Sequence, residues 1–309
     1  MTCLWRNGSE KSDGKSVFFK KKCYFCEPLY PVKMQEKHPI QINVGNVLRQ
    51  RLPGRHIPRW AVRWLERTIC QNRLNEILRA IGDRQGVEAA DVALRELGIT
   101  LHATGLDSLP QGRYIFASNH PLGGLDGLGL ISLLGHHYNG DIRFMVNDLL
   151  MAVEPLRPVF LPVNKYGRQS RQAANDIETE YAGHKQMLTF PAGLCSRLQH
   201  GQVRDLPWNK SVVSLAVTYR RDIVPVHFHA ENTRFFYRLA NLRKRLGVKF
   251  NAEMVYLPKE MIKKQDCTFS VTVGTPVPWQ QLDAAHPREQ AQRLCRMVYD
   301  LDATKLEKN

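Results

Sequence analysis

The chain has 309 residues, 43% of them hydrophobic and 9% aromatic, with a formal net charge of +15. Those fractions exclude a disordered chain and allow one large core, while the positive excess favours polyanionic partners: nucleic acid, an anionic membrane face, or acidic and phosphorylated substrates. Seven scattered cysteines, an odd number, form no disulfide framework and fit a reducing cytosolic compartment.

Residues 1–33 read as a poorly ordered basic extension, with Lys20-Lys21-Lys22 and no apolar stretch that would serve as a signal peptide. Met34 is a second candidate start. Cys23 and Cys26 have the spacing of half a zinc site, but no second pair follows, so no metal is expected. Residues 34–99 read as an N-terminal helical segment packing on the domain that follows. Pro58 suits a first helical position. Ala61, Leu65 and Ile69, then Leu74, Ile77, Leu78 and Ile81, predict a helix from Pro58 to Ala80. Its stripe of Arg59, Arg63 and Arg67 beside Trp60 and Trp64 suits either a membrane surface or a dock on its own domain. A second helix is expected over Val87–Leu97, stopped by Gly98.

Residues 100–309 alternate short apolar runs with helical stretches. Strands are expected at Thr100–Ala103, Tyr114–Ala117, Ile142–Met145, Val159–Pro162, Met187–Thr189, Ile223–Phe228 and Phe269–Val273. Helices are expected at Leu125–Leu134, Ser170–Tyr181, Val212–Tyr219 and near Arg288–Leu301. This alternation predicts an α/β fold with a mostly parallel central sheet flanked by helices. The run from Ile115 to Gly135 is apolar enough to invite a membrane span. It holds Asn119, His120, Asp126 and five glycines, so a peripheral protein is expected rather than an integral one.

In parallel sheets, ligands gather beyond the carboxyl ends of strands. Three polar, glycine-bearing segments fall there: NHPLGGLDG after residue 118, LPVNKYGR at 161–168 and FPAGLCSR at 190–197. His120 has the chemistry to take a proton from an attacking hydroxyl, and a carboxylate on its other ring nitrogen would stabilise the imidazolium. Asp126 reaches back to it if Gly123-Gly124 folds tightly. Asn119 then fixes the loop or binds substrate. The turn at Pro191–Gly193, with Ser196 and Arg197, offers donors to an anion or oxyanion. Lys165, Arg168 and Arg171 place three cations at a helix start, which attracts phosphate or carboxylate.

The order of these segments resembles the glycerolipid acyltransferase family, whose small bacterial members acylate lysophosphatidic acid. That family carries an Asn-His-x4-Asp block, a strand ending in an arginine-bearing block, a Phe-Pro-Glu-Gly-Thr-Arg-Ser block and a Val-Pro strand. The matching residues here are Asn119-His120 with Asp126, Pro162-Val163-Asn164-Lys165, and Phe190 to Ser196. Last comes Asp222 to Val226, preceded by Trp208-Asn209-Lys210. The resemblance covers roughly residues 100 to 230.

The resemblance implies direct acyl transfer with His120 and Asp126 as the catalytic residues and amides near Gly193 or Gly124 for the oxyanion. Asn119, Gly123, Gly124, Lys165, Arg168, Pro191, Gly193, Ser196, Arg197 and Lys210 are implied to bind substrate. No cofactor is implied beyond an acyl thioester of acyl carrier protein or coenzyme A. A lysolipid acceptor and a peripheral position on the cytoplasmic face of the inner membrane, against an anionic surface, follow from the same resemblance. No nucleic-acid partner is expected.

The departures point to a divergent branch. The His-to-Asp spacing is one residue longer, Ala192 and Cys195 replace the third block's glutamate and arginine, and Lys165 replaces an arginine. Arg197 is expected to substitute for the missing arginine. These changes favour an amino-acid lysolipid over lysophosphatidic acid as acceptor. Rival readings are a Cys195-dependent thioesterase or hydrolase and a nucleic-acid-binding protein using the basic, aromatic stretch Arg234–Leu246. In that stretch Phe235, Leu239, Leu242 and Leu246 share a helical face, suited to membrane contact or to packing on the domain. His227 and His229 share one strand face, which fits core or channel lining better than a metal.

Overall fold

The computed structural model describes residues 41–51, 56–163, 171–248 and 250–306. The expected extension at 1–33, the Cys23–Cys26 pair, Lys165 and Arg168 lie outside them. Four helices come first: α1 (Val44–Arg51), α2 (Arg59–Thr68), α3 (Gln71–Ile81) and α4 (Gly86–Glu96). The single helix expected over Pro58–Ala80 is two, because Cys70 adopts a left-handed backbone at φ 53° between them. That break is why the apolar stripe shifts phase after Ile69.

The strands β1 (Thr100–Thr104), β2 (Tyr114–Ser118), β3 (Ile142–Asn147), β4 (Phe160–Val163), β5 (Gln186–Thr189), β8 (Asp222–His229) and β9 (Thr268–Val273) form one sheet in the order β1-β9-β8-β2-β5-β3-β4. Every neighbouring pair is parallel except β8 with β9. Between β5 and β8 lies a small antiparallel hairpin, β6 (Arg197–Gln199) with β7 (Gln202–Arg204). The remaining helices are α5 (Leu125–His137), α6 (Arg171–Ala182), α7 (Ser211–Tyr219), α8 (Arg234–Arg245), α9 (Leu257–Ile262) and α10 (Pro287–Leu306). The fold is α/β with a mostly parallel sheet flanked by helices. Sequence reading missed α1, the hairpin and α9, which are too short to show a periodicity.

Residues of β2 alternate between two cores, as the period of a strand requires. Tyr114 and Phe116 join α3, α4 and α5 on one face, while Ile115 and Ala117 join α7 and α10 on the other. With both faces covered, β2 is buried along its whole length. The N-terminal helices therefore share the main core with the sheet: Ile77, Ile81, Ala90 and Leu94 pack in the same cluster as Leu130 and Leu134 of α5. Gly135 allows α5 to approach Val87 closely, since a Cβ there would sit 2.4 Å from its methyl group. Behind the sheet, fully buried Arg221 donates to the carbonyls of Tyr181, Gly183 and Lys185, tying down the end of α6. Burial, with Arg113 nearby, pulls its pKa down to about 10.

Candidate active site

Strand order decides which loops meet. β2 lies between β5 and β8, with Ala117 opposite Thr189 and Ser118 opposite Val226. The loop after β2 thus runs beside the loop after β5 and the end of β8. His120 stacks on Phe190 with ring centroids 4.0 Å apart. Asn119, expected to fix the loop or bind substrate, has its amide nitrogen on the Phe228 carbonyl at 3.0 Å and its oxygen on the Phe228 N–H at 2.7 Å. Its side chain fixes the loop to β8.

His120 Nδ1 lies 2.9 Å from Asp126 Oδ2. The same oxygen accepts the N–H groups of Leu122 at 2.9 Å and Gly123 at 3.3 Å, and Oδ1 accepts the Gly127 N–H at 2.9 Å. Asp126 is fully buried in the first turn of α5, where the helix dipole favours a carboxylate. Three backbone donors fix its orientation, and a carboxylate is an acceptor only. Nδ1 therefore carries the proton, leaving the Nε2 lone pair to accept one. The extra residue between His120 and Asp126 is taken up at Gly123, whose φ of 90° and contact with Leu257 leave no room for a side chain.

A second buried carboxylate, which sequence reading missed, holds the backbone of the same histidine. Asp205 Oδ1 accepts from Ser196 Oγ at 2.6 Å and from the His120 N–H at 3.2 Å, and Oδ2 accepts from Trp208 Nε1 at 2.9 Å. Ser196 N–H donates in turn to the His120 carbonyl at 2.7 Å. Burial pushes the Asp205 carboxyl above its ordinary range, against those three hydrogen bonds. A lone aspartate after β7 has no pattern in sequence; only the fold brings its three donors together.

Two cavities flank the loop. One, of about 350 Å³, is almost wholly apolar; His120, Gly123, Gly124 and Gly193 line it together with Phe144 and Phe190. The other, of about 880 Å³, is polar, and Asn119, Pro121 and Ser196 line it. His120 therefore faces the apolar space, while its chain neighbours Asn119 and Pro121 line the other.

Several expected ligands are engaged otherwise or lie elsewhere. Arg197 does not substitute for the missing arginine: its guanidinium is buried, donating to the Cys195 carbonyl at 2.6 Å and to Glu253 at 2.9 Å. Arg243 also sits 2.8 Å from Glu253, an ion pair without hydrogen-bond alignment. Lys210 is exposed and lines a separate depression with Trp208 and Arg288. The Pro191 carbonyl accepts the Asn209 N–H at 2.9 Å. The Gly193 N–H closes a turn onto the Phe190 carbonyl at 2.9 Å, so it is not aimed at an oxyanion. Cys195 has no exposed surface and packs against Phe236 and Tyr237; burial raises its thiol to about 11. A neutral, enclosed thiol is no nucleophile at neutral pH, which removes the thioesterase reading. His227 and His229 line the polar cavity, and among the described residues no cluster of three metal-ligating side chains occurs.

Comparison with known proteins adds to this geometry. A family model described as acyltransferase matches residues 46–306, well beyond the stretch from about 100 to 230 where the motif blocks lie. A lyso-glycine lipid O-acyltransferase of Bacteroides thetaiotaomicron is 41% identical over 84% of this chain and 97% of its own. A protein of the same name from Phocaeicola vulgatus is 41% identical over 87% of this chain and 98% of its own. The crystal structure of the 1-acyl-sn-glycerophosphate acyltransferase PlsC from Thermotoga maritima aligns over 84% of this chain and 88% of that one, with 16% identity and a TM-score of 0.45, a likeness too distant to transfer any residue's role. With the family model spanning the sheet and the His120–Asp126 pair, and with relatives 41% identical over most of their length, the chain belongs to the acyltransferase family and is an O-acyltransferase.

Proposed function

We propose that the protein moves a fatty acyl group from a thioester, carried by acyl carrier protein or coenzyme A, to the hydroxyl of an amino-acid lysolipid. The observation that carries the mechanism is the 2.9 Å contact of His120 with buried Asp126 at the wall of an apolar cavity. Nε2 of His120 takes the proton of the acceptor hydroxyl as its oxygen attacks the thioester carbonyl. The tetrahedral intermediate expels the thiolate, which recovers that proton from the imidazolium; the products are an ester and a free thiol. Asp126 holds the ring and offsets its transient charge. The Gly124 N–H, at the start of α5, is our assignment for the oxyanion, in a spot where even a Cβ would meet nothing within 4 Å. The apolar cavity accepts an acyl chain.

Two observations favour an amino-acid acceptor over lysophosphatidic acid. The 41% identical relatives are named lyso-glycine lipid O-acyltransferases. Arg197, expected to stand in for the third block's missing arginine, is tied to Glu253 instead. Membrane association is also our reading. Among the described residues no helix is long and apolar enough to cross a membrane. Trp60, Trp64, Phe235, Leu242 and Leu246 are nonetheless exposed, and Tyr256 joins α2 to α8 by ring contacts with Trp64 and Phe235. The apolar face expected on α8 thus points outward, while Phe236, Tyr237 and Ala240 pack inward. Arginines flank both exposed faces, as an anionic bilayer demands. Sedimentation with anionic but not neutral vesicles, weakened by Trp60→Ser with Trp64→Ser, is the expected result; equal binding to both vesicle types would refute it.

The function itself is tested with purified protein in mixed micelles. Both thioester donors are offered against a 3-hydroxyacyl glycine lysolipid and lysophosphatidic acid. Acylation of the glycine lysolipid is expected; acylation of lysophosphatidic acid alone would overturn the acceptor assignment.

A further inference from the structure

The polar cavity has a chemistry that the transfer step does not use. Three arginines line it, Arg204 at the end of β7 and Arg234 and Arg238 one turn apart on α8, against a single carboxylate, Glu231. Arg204 donates to Gln202 at 3.0 Å and lies over the Tyr299 ring. Among the described residues no carboxylate pairs with any of the three. The same cavity is lined by Asn232, which is 6% exposed. Its Nδ2 donates to the Pro121 carbonyl at 2.9 Å, but its buried Oδ1 has no donor. An unsatisfied buried acceptor is uncommon in a folded chain and calls for a donor that the described residues do not supply. Pro121 follows His120 directly, so whatever binds here is anchored beside the general base.

We infer that this cavity is the acceptor headgroup subsite, with Arg204, Arg234 and Arg238 holding a carboxylate and Asn232 Oδ1 accepting an amide N–H. The inference rests on the proposed acyl transfer to an amino-acid lysolipid. An amino acid acylated on its nitrogen presents those two groups one carbon apart. A phosphate monoester offers the anion without the N–H and leaves Asn232 unsatisfied, so the site discriminates against lysophosphatidic acid. The pantetheine arm of a thioester donor also carries amide N–H groups and a phosphate, and the test must separate the two.

Initial rates are measured with donor and acceptor each varied in turn, for three acceptors: the glycine lysolipid, its neutral carboxamide and the analogue methylated on the amide nitrogen. They are repeated for Arg204→Gln and Arg238→Gln, both at exposed positions where the fold tolerates the change. The wild type is expected to bind the carboxamide and the N-methylated analogue about ten-fold or more weakly than the parent. Arg238→Gln should raise the acceptor KM about ten- to hundred-fold, abolish the preference for carboxylate over carboxamide, and leave the donor KM unchanged. An undiminished carboxylate preference in both variants overturns the inference. So does a rise in donor KM alone, which gives the cavity to the pantetheine phosphate. Turnover of the glycine lysolipid by the wild type keeps the proposed function intact in either case; its absence removes that function and the subsite with it.

Discussion

The loop after β2 and the loop after β5 lie side by side and have diverged in opposite senses. In the first, one residue more than the family spacing separates His120 from Asp126, yet the two side chains meet at 2.9 Å. In the second the length is unchanged, but Ala192 and Cys195 replace charged residues and Arg197 is buried against Glu253. Proton transfer depends on one interatomic contact, and a glycine at φ 90° absorbs an insertion without disturbing it. Headgroup recognition depends on where charges point, and it moves when the charges do. The second loop has become a support: Ser196 and Asp205 clamp the backbone of His120 from below.

Substitutions can break this contrast, beginning with the pair we propose to react. His120→Ala should lower kcat/KM about 10⁴-fold and Asp126→Asn about 10²- to 10⁴-fold, with the melting temperature little changed for the first. A fall in acceptor affinity with kcat preserved would show instead that the first loop binds rather than reacts. On the second loop, Glu253→Gln leaves two cations in a buried site, because Arg197 and Arg243 both pair with that carboxylate. Urea unfolding should register a loss of about 3–5 kcal/mol. Unchanged stability would return Arg197 to the list of substrate ligands.

The contrast sharpens with pH at Asp205. Burial raises its native pKa above the ordinary 3.8. Between the two values the native state binds more protons than the unfolded chain, so the stability Asp205 contributes falls as pH climbs through that window. Asp205→Asn loses hydrogen bonds at every pH but does not titrate. The melting-temperature gap between wild type and variant should therefore narrow as pH rises from about 4. A constant gap would mean that the carboxyl ionises as readily folded as unfolded. The smallest effect is expected at Cys195→Ala: kcat unchanged, with about 1–2 kcal/mol of stability lost from the small core around Phe236 and Tyr237. Lost activity in a folded variant would restore the thiol mechanism.

All seven strands of the main sheet were legible in the sequence as short apolar stretches between helical segments, such as Tyr114–Ala117 of β2 and Ile223–Val226 of β8, although β8 also carries His227 and His229. The break at Cys70 was not, since a left-handed cysteine has no compositional mark. At the site, His120 and Asp126 were singled out by their chemistry at the end of a strand and then by the family pattern; of the Gly123-Gly124 pair expected to let the loop fold back, Gly123 has the positive φ. Arg197 is the substitute the sequence suggests because it adjoins the third block, and nothing in the sequence marks Arg204, Arg234 or Arg238 for such a role. Proximity in sequence does not fix side-chain direction, and only the packing of β7 and α8 turns the other three toward one cavity. Asp205 was missed because its partners Ser196, Trp208 and His120 converge on it only after β2 and β5 pair.

The most direct test of the account is the rate of acyl transfer to a 3-hydroxyacyl glycine lysolipid by the wild type and by His120→Ala under identical saturating conditions. Transfer by the wild type and a loss of about 10⁴-fold in the variant is the predicted result. Equal rates in the two proteins would contradict the assignment of His120 as the base.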